Sequence, residues 1–213
     1  MGQAELQLQI KRIQQDVLRM GALAEKSLVL AQQALFEQNL AAAEQAITQD
    51  KQIDRFYHQI EKDCMRLIAL RSPVAQDLRW ISALMQLVRD LERIGDYAKD
   101  LAEVALRLAL YPPPPELRHI RVMMQRCQKM LSHSLVALTE LDADLGRQLK
   151  REDDAVDEDY TNLYNTLAQQ SDIRGSIEPI LLMLLAIRYL ERLADHCTNI
   201  GQRVAFIVTG HRD

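Results

Sequence analysis

Cysteine occurs only three times, at Cys64, Cys127 and Cys197, and never as a Cys-x-x-Cys pair. An odd and widely spaced set argues against a disulfide framework and fits a reducing compartment. Glycine and proline are also scarce, at 7 and 6 residues. Ala, Leu, Gln and Glu take their place, which is the composition of an all-helical protein. No basic run is present, and the formal net charge is −4. A general grip on nucleic acid needs a basic face, so DNA and RNA are not expected partners. The longest apolar run, "ILLMLLAI" from Ile180 to Ile187, is too short to cross a bilayer and reads as a buried helix segment. The first residues, "MGQAELQLQIKRIQ", are amphipathic rather than leader-like, and Leu6 stands where a myristoylation signal wants Ser or Thr. A cytoplasmic protein is expected. P-loop, dinucleotide fingerprint, His-Glu-x-x-His and nucleophile-elbow motifs are missing too, which removes the enzyme classes they mark.

What the chain does have is 48% hydrophobic residues, enough for a sizeable core, and a repeat. "ALFEQNLAAAEQAITQDKQID" from Ala34 matches "ALTELDADLGRQLKREDDAVD" from Ala137, 103 positions later. "LVRDLERIGDYAKDLAE" from Leu87 matches "AIRYLERLADHCTNIGQ" from Ala186, 99 positions later. The first half thus carries four extra residues between Asp54 and Ser72. Four residues make about one helical turn, so the faces stay in phase. An internal duplication accounts for both matches.

Each half reads as three long helices. Apolar residues at helical spacing, such as Leu6, Ile10, Ile13, Val17 and Met20, place the first at about 4–38. The second covers about 40–70, through Ile53, Ile60, Met65 and Ile68. The third follows "SP" at Ser72-Pro73, read as an N-cap and a first-turn proline, and runs to about 110. The other half repeats this at about 116–142, 144–170 and 176–209, with the break at "SDIRGSIEP" supplying Gly175 and a Ser176 cap. The expected fold is all-α: two antiparallel three-helix bundles in tandem, spanning 1–110 and 116–213, joined by an extended Pro112–Pro115 linker. Cys127, Cys197 and the methionines at 65, 85, 123, 124, 130 and 183 read as core filling.

Four carboxylate pairs have i, i+4 spacing: Asp50/Asp54, Glu92/Asp96, Asp153/Asp157 and Glu191/Asp195. Such residues share a helix face, and like charges there repel by a few tenths of a kcal/mol per pair. Counting along antiparallel helices puts the two pairs of each bundle at the same height. Each bundle would gather four carboxylates, an oxygen-rich set suited to magnesium, manganese or iron. The bland alternative is that Arg89, Arg93, Lys99, Arg188 and Arg192 turn the acids into surface salt bridges, worth little each. His58 and His196 stand close in sequence to these acids, but His58 reads as a surface residue and His196 points away from its neighbour Asp195.

The two "LER-x-x-D" copies, with "RSPVAQDLR" (71–79), "DKQID", "DDAVD" and "YLERLADHCTNIGQRVAFIVTG" (189–210), make the chain resemble the PhoU family of phosphate-regulation proteins over nearly its whole length. The resemblance implies two similar three-helix bundles and a homodimer. It implies metal, including iron or zinc, on Glu/Asp-x-x-x-Asp motifs, and no organic cofactor. It implies no enzyme, but a negative regulator that links a phosphate ABC transporter and its ATPase subunit to a sensor histidine kinase. The protein would then reach the membrane only through those partners. Carried onto this sequence, the candidate residues are Asp50, Asp54, Glu92, Asp96, Asp100, Asp153, Asp157, Glu191, Asp195 and Asn199. The second copy departs from the first at Leu193-Ala194, where the first has Ile94-Gly95, and at Asn199, where the first has Asp100. Two rival readings stand beside this one. One is a metal-free adaptor whose acids recognise basic partner surfaces. The other is a carboxylate-bridged di-iron enzyme, for which Glu116-Leu-Arg-His119 is a single Glu-x-x-His far from the acid pairs.

Overall fold

The computed structural model describes residues 2–73, 75–170 and 175–211. Six helices follow one another: α1 (Gly2–Glu37), α2 (Leu40–Arg71), α3 (Ala75–Leu108), α4 (Leu117–Glu140), α5 (Ala143–Ala168) and α6 (Glu178–Thr209). No strand occurs among the described residues. The expected break at "SDIRGSIEP" falls partly on residues 171–174, outside the described set.

The duplication reaches into the corners. At the α1–α2 corner Gln38 has φ 54°, and at the α4–α5 corner its repeat-mate Leu141 has φ 52°. The next residue in each copy caps the following helix. Asn39 Oδ1 accepts from Ala42 N at 3.1 Å, and Asp142 Oδ1 accepts from Asp144 N and Leu145 N at 2.9 and 3.0 Å. A left-handed residue followed by an Asx cap turns the chain in two residues, so neighbouring helices run antiparallel.

α1, α2 and α3 pack on one another, and so do α4, α5 and α6. The bundles meet along α3 and α6, with a second contact of α1 on α4. One buried apolar cluster takes in all six helices, from Leu6 to Ile207. Ile10, Ile13, Val17 and Met20 are buried as their spacing requires. So are Met123, Met124, Met130, Met183 and all three cysteines, which are free thiols. Burial pushes the Cys64 thiol up to about 12 and raises the Cys127 and Cys197 thiols as well, as befits packing residues.

Two local expectations are corrected. Met65 is 53% exposed: it lies on the outer side of α2, opposite the face that carries Ile60, Cys64 and Leu67. Ser72 does not open α3. It closes α2, in a left-handed conformation with φ 43°, its N–H bonded to Ile68 O at 3.1 Å. Ser176 does serve the next helix, since its Oγ accepts from Glu178 N at 3.1 Å, ahead of Pro179 in the first turn.

Helices α5 and α6 approach closely at two glycines. A Cβ on Gly146 would lie 2.6 Å from Gly201 O, and one on Gly201 would strike Gly146 O. Backbone cannot retreat as a side chain can. At Gly95 the obstacle is the Ile53 side chain, with Cδ1 2.8 Å and Cγ2 3.2 Å away, rather than backbone. Gly201→Ala is therefore expected to destabilise the fold by about 1–3 kcal/mol, the usual cost of overpacking. Gly95→Ala should cost less, because a side chain can shift where backbone cannot and helix propensity returns up to about 1 kcal/mol. Paired urea melts check both; equal losses would contradict the difference between backbone and side-chain contact.

Candidate functional site

In the first bundle Asp50 and Asp54 lie on α2, facing Glu92, Asp96 and Asp100 on α3. Their charges act on one another. Burial raises the Glu92 carboxyl above its ordinary range, and Asp96, Asp54 and Asp50 raise it further against Arg93. Asp96 is raised by burial and then by Asp50; Asp100 is raised by burial, then by Glu103 and Asp96. The height-matched patch expected from register is present. It is also partly neutralised from within. Lys99 Nζ donates to Asp50 Oδ2 at 2.7 Å, and Arg93 reaches Asp96 at 3.3 Å.

The second bundle gathers Asp153 and Asp157 on α5 with Glu191 and Asp195 on α6. Burial raises Asp153 against the pull of Lys150, with Asp157 and Asp195 adding to the rise. Glu191 is raised by burial, against Arg188, with Asp195 and Asp157 adding. Lys150 Nζ donates to Asp153 Oδ2 at 2.9 Å, Arg188 to Glu191 at 2.8 Å and Arg192 to Asp195 at 3.0 Å.

Asp50 and Asp153 are repeat-mates and the most buried of the candidate acids, 5% and 2% exposed. Each finds a lysine by a different route. Lys99 comes from the facing helix α3, whereas Lys150 lies on α5 itself, one turn earlier. In each the second oxygen, Oδ1, is buried without a hydrogen-bond partner. Oxygen donors with orphaned atoms suit a hard cation chemically. Among the described residues no three His, Cys, Asp or Glu side chains are grouped closely enough for an ion, and Lys99 and Lys150 already pair with these two aspartates. The ammonium groups stand where a cation would be needed.

Asn199 serves elsewhere. Its Nδ2 donates to Asp90 Oδ1 at 3.4 Å, across the seam between α6 and α3. The seam is a near two-fold arrangement of repeat-mates. His196 Nδ1 lies 2.8 Å from Asp90 Oδ1. The corresponding pair, Tyr97 and Tyr189, stacks with ring centroids 5.9 Å apart. Tyr97 and His196, themselves mates, meet at 5.9 Å. Asp100, the mate of Asn199, faces Tyr189 and helps raise its hydroxyl. The departure at Asn199 thus has a physical reason. An aspartate there would face Asp90, a carboxylate only 6% exposed.

Sequence reasoning missed the role of Asp90, His196 and Arg203, which lies 3.3 Å from Asp90. Their one signal was failure to repeat: Asp90 aligns with Tyr189 and His196 with Tyr97.

The family model for the PhoU domain matches residues 17–105 and again 120–204. The chain belongs to the PhoU family. It is 56% identical over 204 residues to a phosphate-specific transport system accessory protein PhoU homolog of Synechocystis sp., covering 96% of this chain and 91% of that one. The crystal structure of PhoU from Pseudomonas aeruginosa superposes with TM-score 0.90 at 32% identity, covering 96% of this chain and 99% of that one. The phosphate transport system regulatory protein PhoU of Streptococcus pneumoniae superposes with TM-score 0.90 at 28% identity, covering 98% and 99%. The family fold is therefore reproduced over both halves. Among the described residues no helix is long and apolar enough to cross a membrane.

Two outcomes follow from the charges. Asn199→Asp should destabilise at neutral pH by about 1–3 kcal/mol, because it faces a second buried carboxylate, and a melt at pH 5 should recover part of the loss. The wild-type acids have a definite pH signature as well. Glu92, Asp96 and Asp100 have folded-state values raised above the unfolded ones. The native state then binds more protons, so stability falls as pH climbs from about 4 through the raised values. Glu92→Gln should raise the melting temperature at pH 7 and flatten its rise between pH 7 and 5. A lower melting temperature for this variant would contradict the repulsion.

Proposed function

We propose that this protein is an accessory regulator of a phosphate-specific transport system. It restrains phosphate uptake and the phosphate-starvation response when phosphate is plentiful. The observation that supports this is the likeness to the Synechocystis accessory protein homolog over nine-tenths of both chains. On this reading two copies of the chain pair as a homodimer in the cytoplasm. The helical surface docks on the transporter's ATPase subunit and on a sensor histidine kinase, and no bond in a substrate is made or broken. The acidic faces, already neutralised by Lys99, Lys150 and arginines, act as recognition surfaces for basic patches on those partners.

A second reading keeps metal on the same faces, as iron, zinc, manganese or magnesium. The buried, unpartnered Oδ1 atoms of Asp50 and Asp153 favour it. The cation would have to displace both ammonium groups, and its contribution would be to neutralise and clamp the carboxylates of two helices.

Two experiments test these readings. Deleting the gene should leave phosphate-responsive transcription switched on in high phosphate, and restoring it should switch transcription off; unchanged transcription would sink the regulatory reading. For the metal, Lys99→Met/Lys150→Met should take up manganese or iron and melt higher with the ion, by about 3 kcal/mol in stability at a hundredfold excess over the dissociation constant. No difference between the variant with and without metal would leave the metal-free reading in place.

A further inference from the structure

Between α3 and α6, on the seam that joins the bundles, runs a groove of about 660 Å³. Its walls carry Arg89 and Arg93 from α3 and Arg192 and Arg203 from α6, with Tyr97 and His196 between them. One carboxylate, Asp90, belongs to the lining. It is buried and engaged by His196, Asn199 and Arg203. Four guanidinium groups line the groove with one buried carboxylate, in a chain whose net charge is −4. The duplication contributes directly, because Arg93 and Arg192 are repeat-mates that the near two-fold seam brings to the same groove.

These arginines are not used up by their neighbours. Arg93 is held by Glu92 and Asp96 through Nε and Nη1, and Arg192 by Asp195 through Nη1 and by the Tyr97 hydroxyl. A guanidinium has five N–H donors in a fixed fork, so each retains donors for a further acceptor. Arg203 Nε, 3.3 Å from Asp90 Oδ2, is buried with no well-aligned hydrogen bond.

We infer that this groove binds a phosphate-bearing anion, gripped by Arg89, Arg93, Arg192 and Arg203. Planar forks pair bidentately with phosphate oxygens, and a multiply charged group satisfies several at once, which a single carboxylate does not. The volume accommodates inorganic phosphate or a nucleotide, with the Tyr97 and His196 rings in its lining. This site adjoins the acidic faces, since Arg93 and Arg192 also reach Asp96 and Asp195. It goes beyond the regulatory role, which rests on family likeness and stands whether or not the groove is filled.

Titration calorimetry on the full chain at low salt, with inorganic phosphate, ATP and a hexaglutamate peptide in separate arms, tests the inference. Saturable one-to-one binding is expected in a phosphate arm, with a dissociation constant below about 1 mM. Binding in the inorganic arm identifies free phosphate as sufficient; binding of ATP alone identifies a nucleotide. Arg93→Gln/Arg192→Gln should weaken it at least about tenfold. Arg93→Lys/Arg192→Lys, which keeps the charges and guards against misfolding, should weaken it less. Arg12→Gln, on α1 away from the groove, should leave it unchanged. Absence of saturable binding in both phosphate arms overturns the proposal. So does binding that survives the folded double variants, and so does hexaglutamate binding more tightly than either phosphate ligand.

Discussion

A duplicated helix that packs against its own copy must face its own charges. That constraint governs the seam between α3 and α6, through which the two bundles share one core. An unpaired charge there would cost several kcal/mol. Identical copies would set like carboxylates against each other, so the sequence breaks the repeat where the two-fold brings mates together. Asp90 with His196 and Asn199 forms one side; Tyr189 with Tyr97 and Asp100 forms the other. One side is solved by charge and the other by aromatic packing, with the same backbone positions.

The same economy appears at Asp50 and Asp153. What persists between the copies is a buried aspartate that demands a cation, and what changes is the helix that supplies it. Lys99 has Thr198 as its mate, and Lys150 has Ile47, so neither lysine was inherited as a pair with its acid. The ion pairs are half-buried, and breaking one would strand a desolvated carboxylate. The Lys99–Asp50 pair ties α2 to α3, whereas the Lys150–Asp153 pair lies within α5 and neutralises its acid locally. Burial and neighbouring carboxylates hold Glu92, Asp96, Asp100 and Glu191 above their ordinary range.

The helices, their order and the antiparallel turns were legible because they rest on periodicity, capping residues and a repeat, all one-dimensional signals. The acid patches were legible for the same reason: i, i+4 spacing and antiparallel register fix height without knowledge of packing. Ser72 was misread because a polar residue before proline fits a helix start as well as a helix end, and only its left-handed φ decides. Met65 was misread because the stripe on α2 is narrower than its apolar residues suggest. The seam could not be read at all. Which face of α3 meets which face of α6 depends on how two bundles dock, and the residues that matter there are those that fail to repeat.

That failure bears on recognition. On the first face, Asp100 adds to the charge around Asp96; on the second, its counterpart is the neutral Asn199, turned to Asp90 across the seam. The two faces therefore share a backbone and a pattern of acids but differ in charge density and in the helix that neutralises them. Specificity is a difference between affinities, and a duplicated scaffold with unlike charges supplies one without a second fold. If the proposed partners carry basic surfaces, the two faces are poised to prefer different ones. The need to avoid apposed carboxylates at the seam would then be the physical origin of that preference.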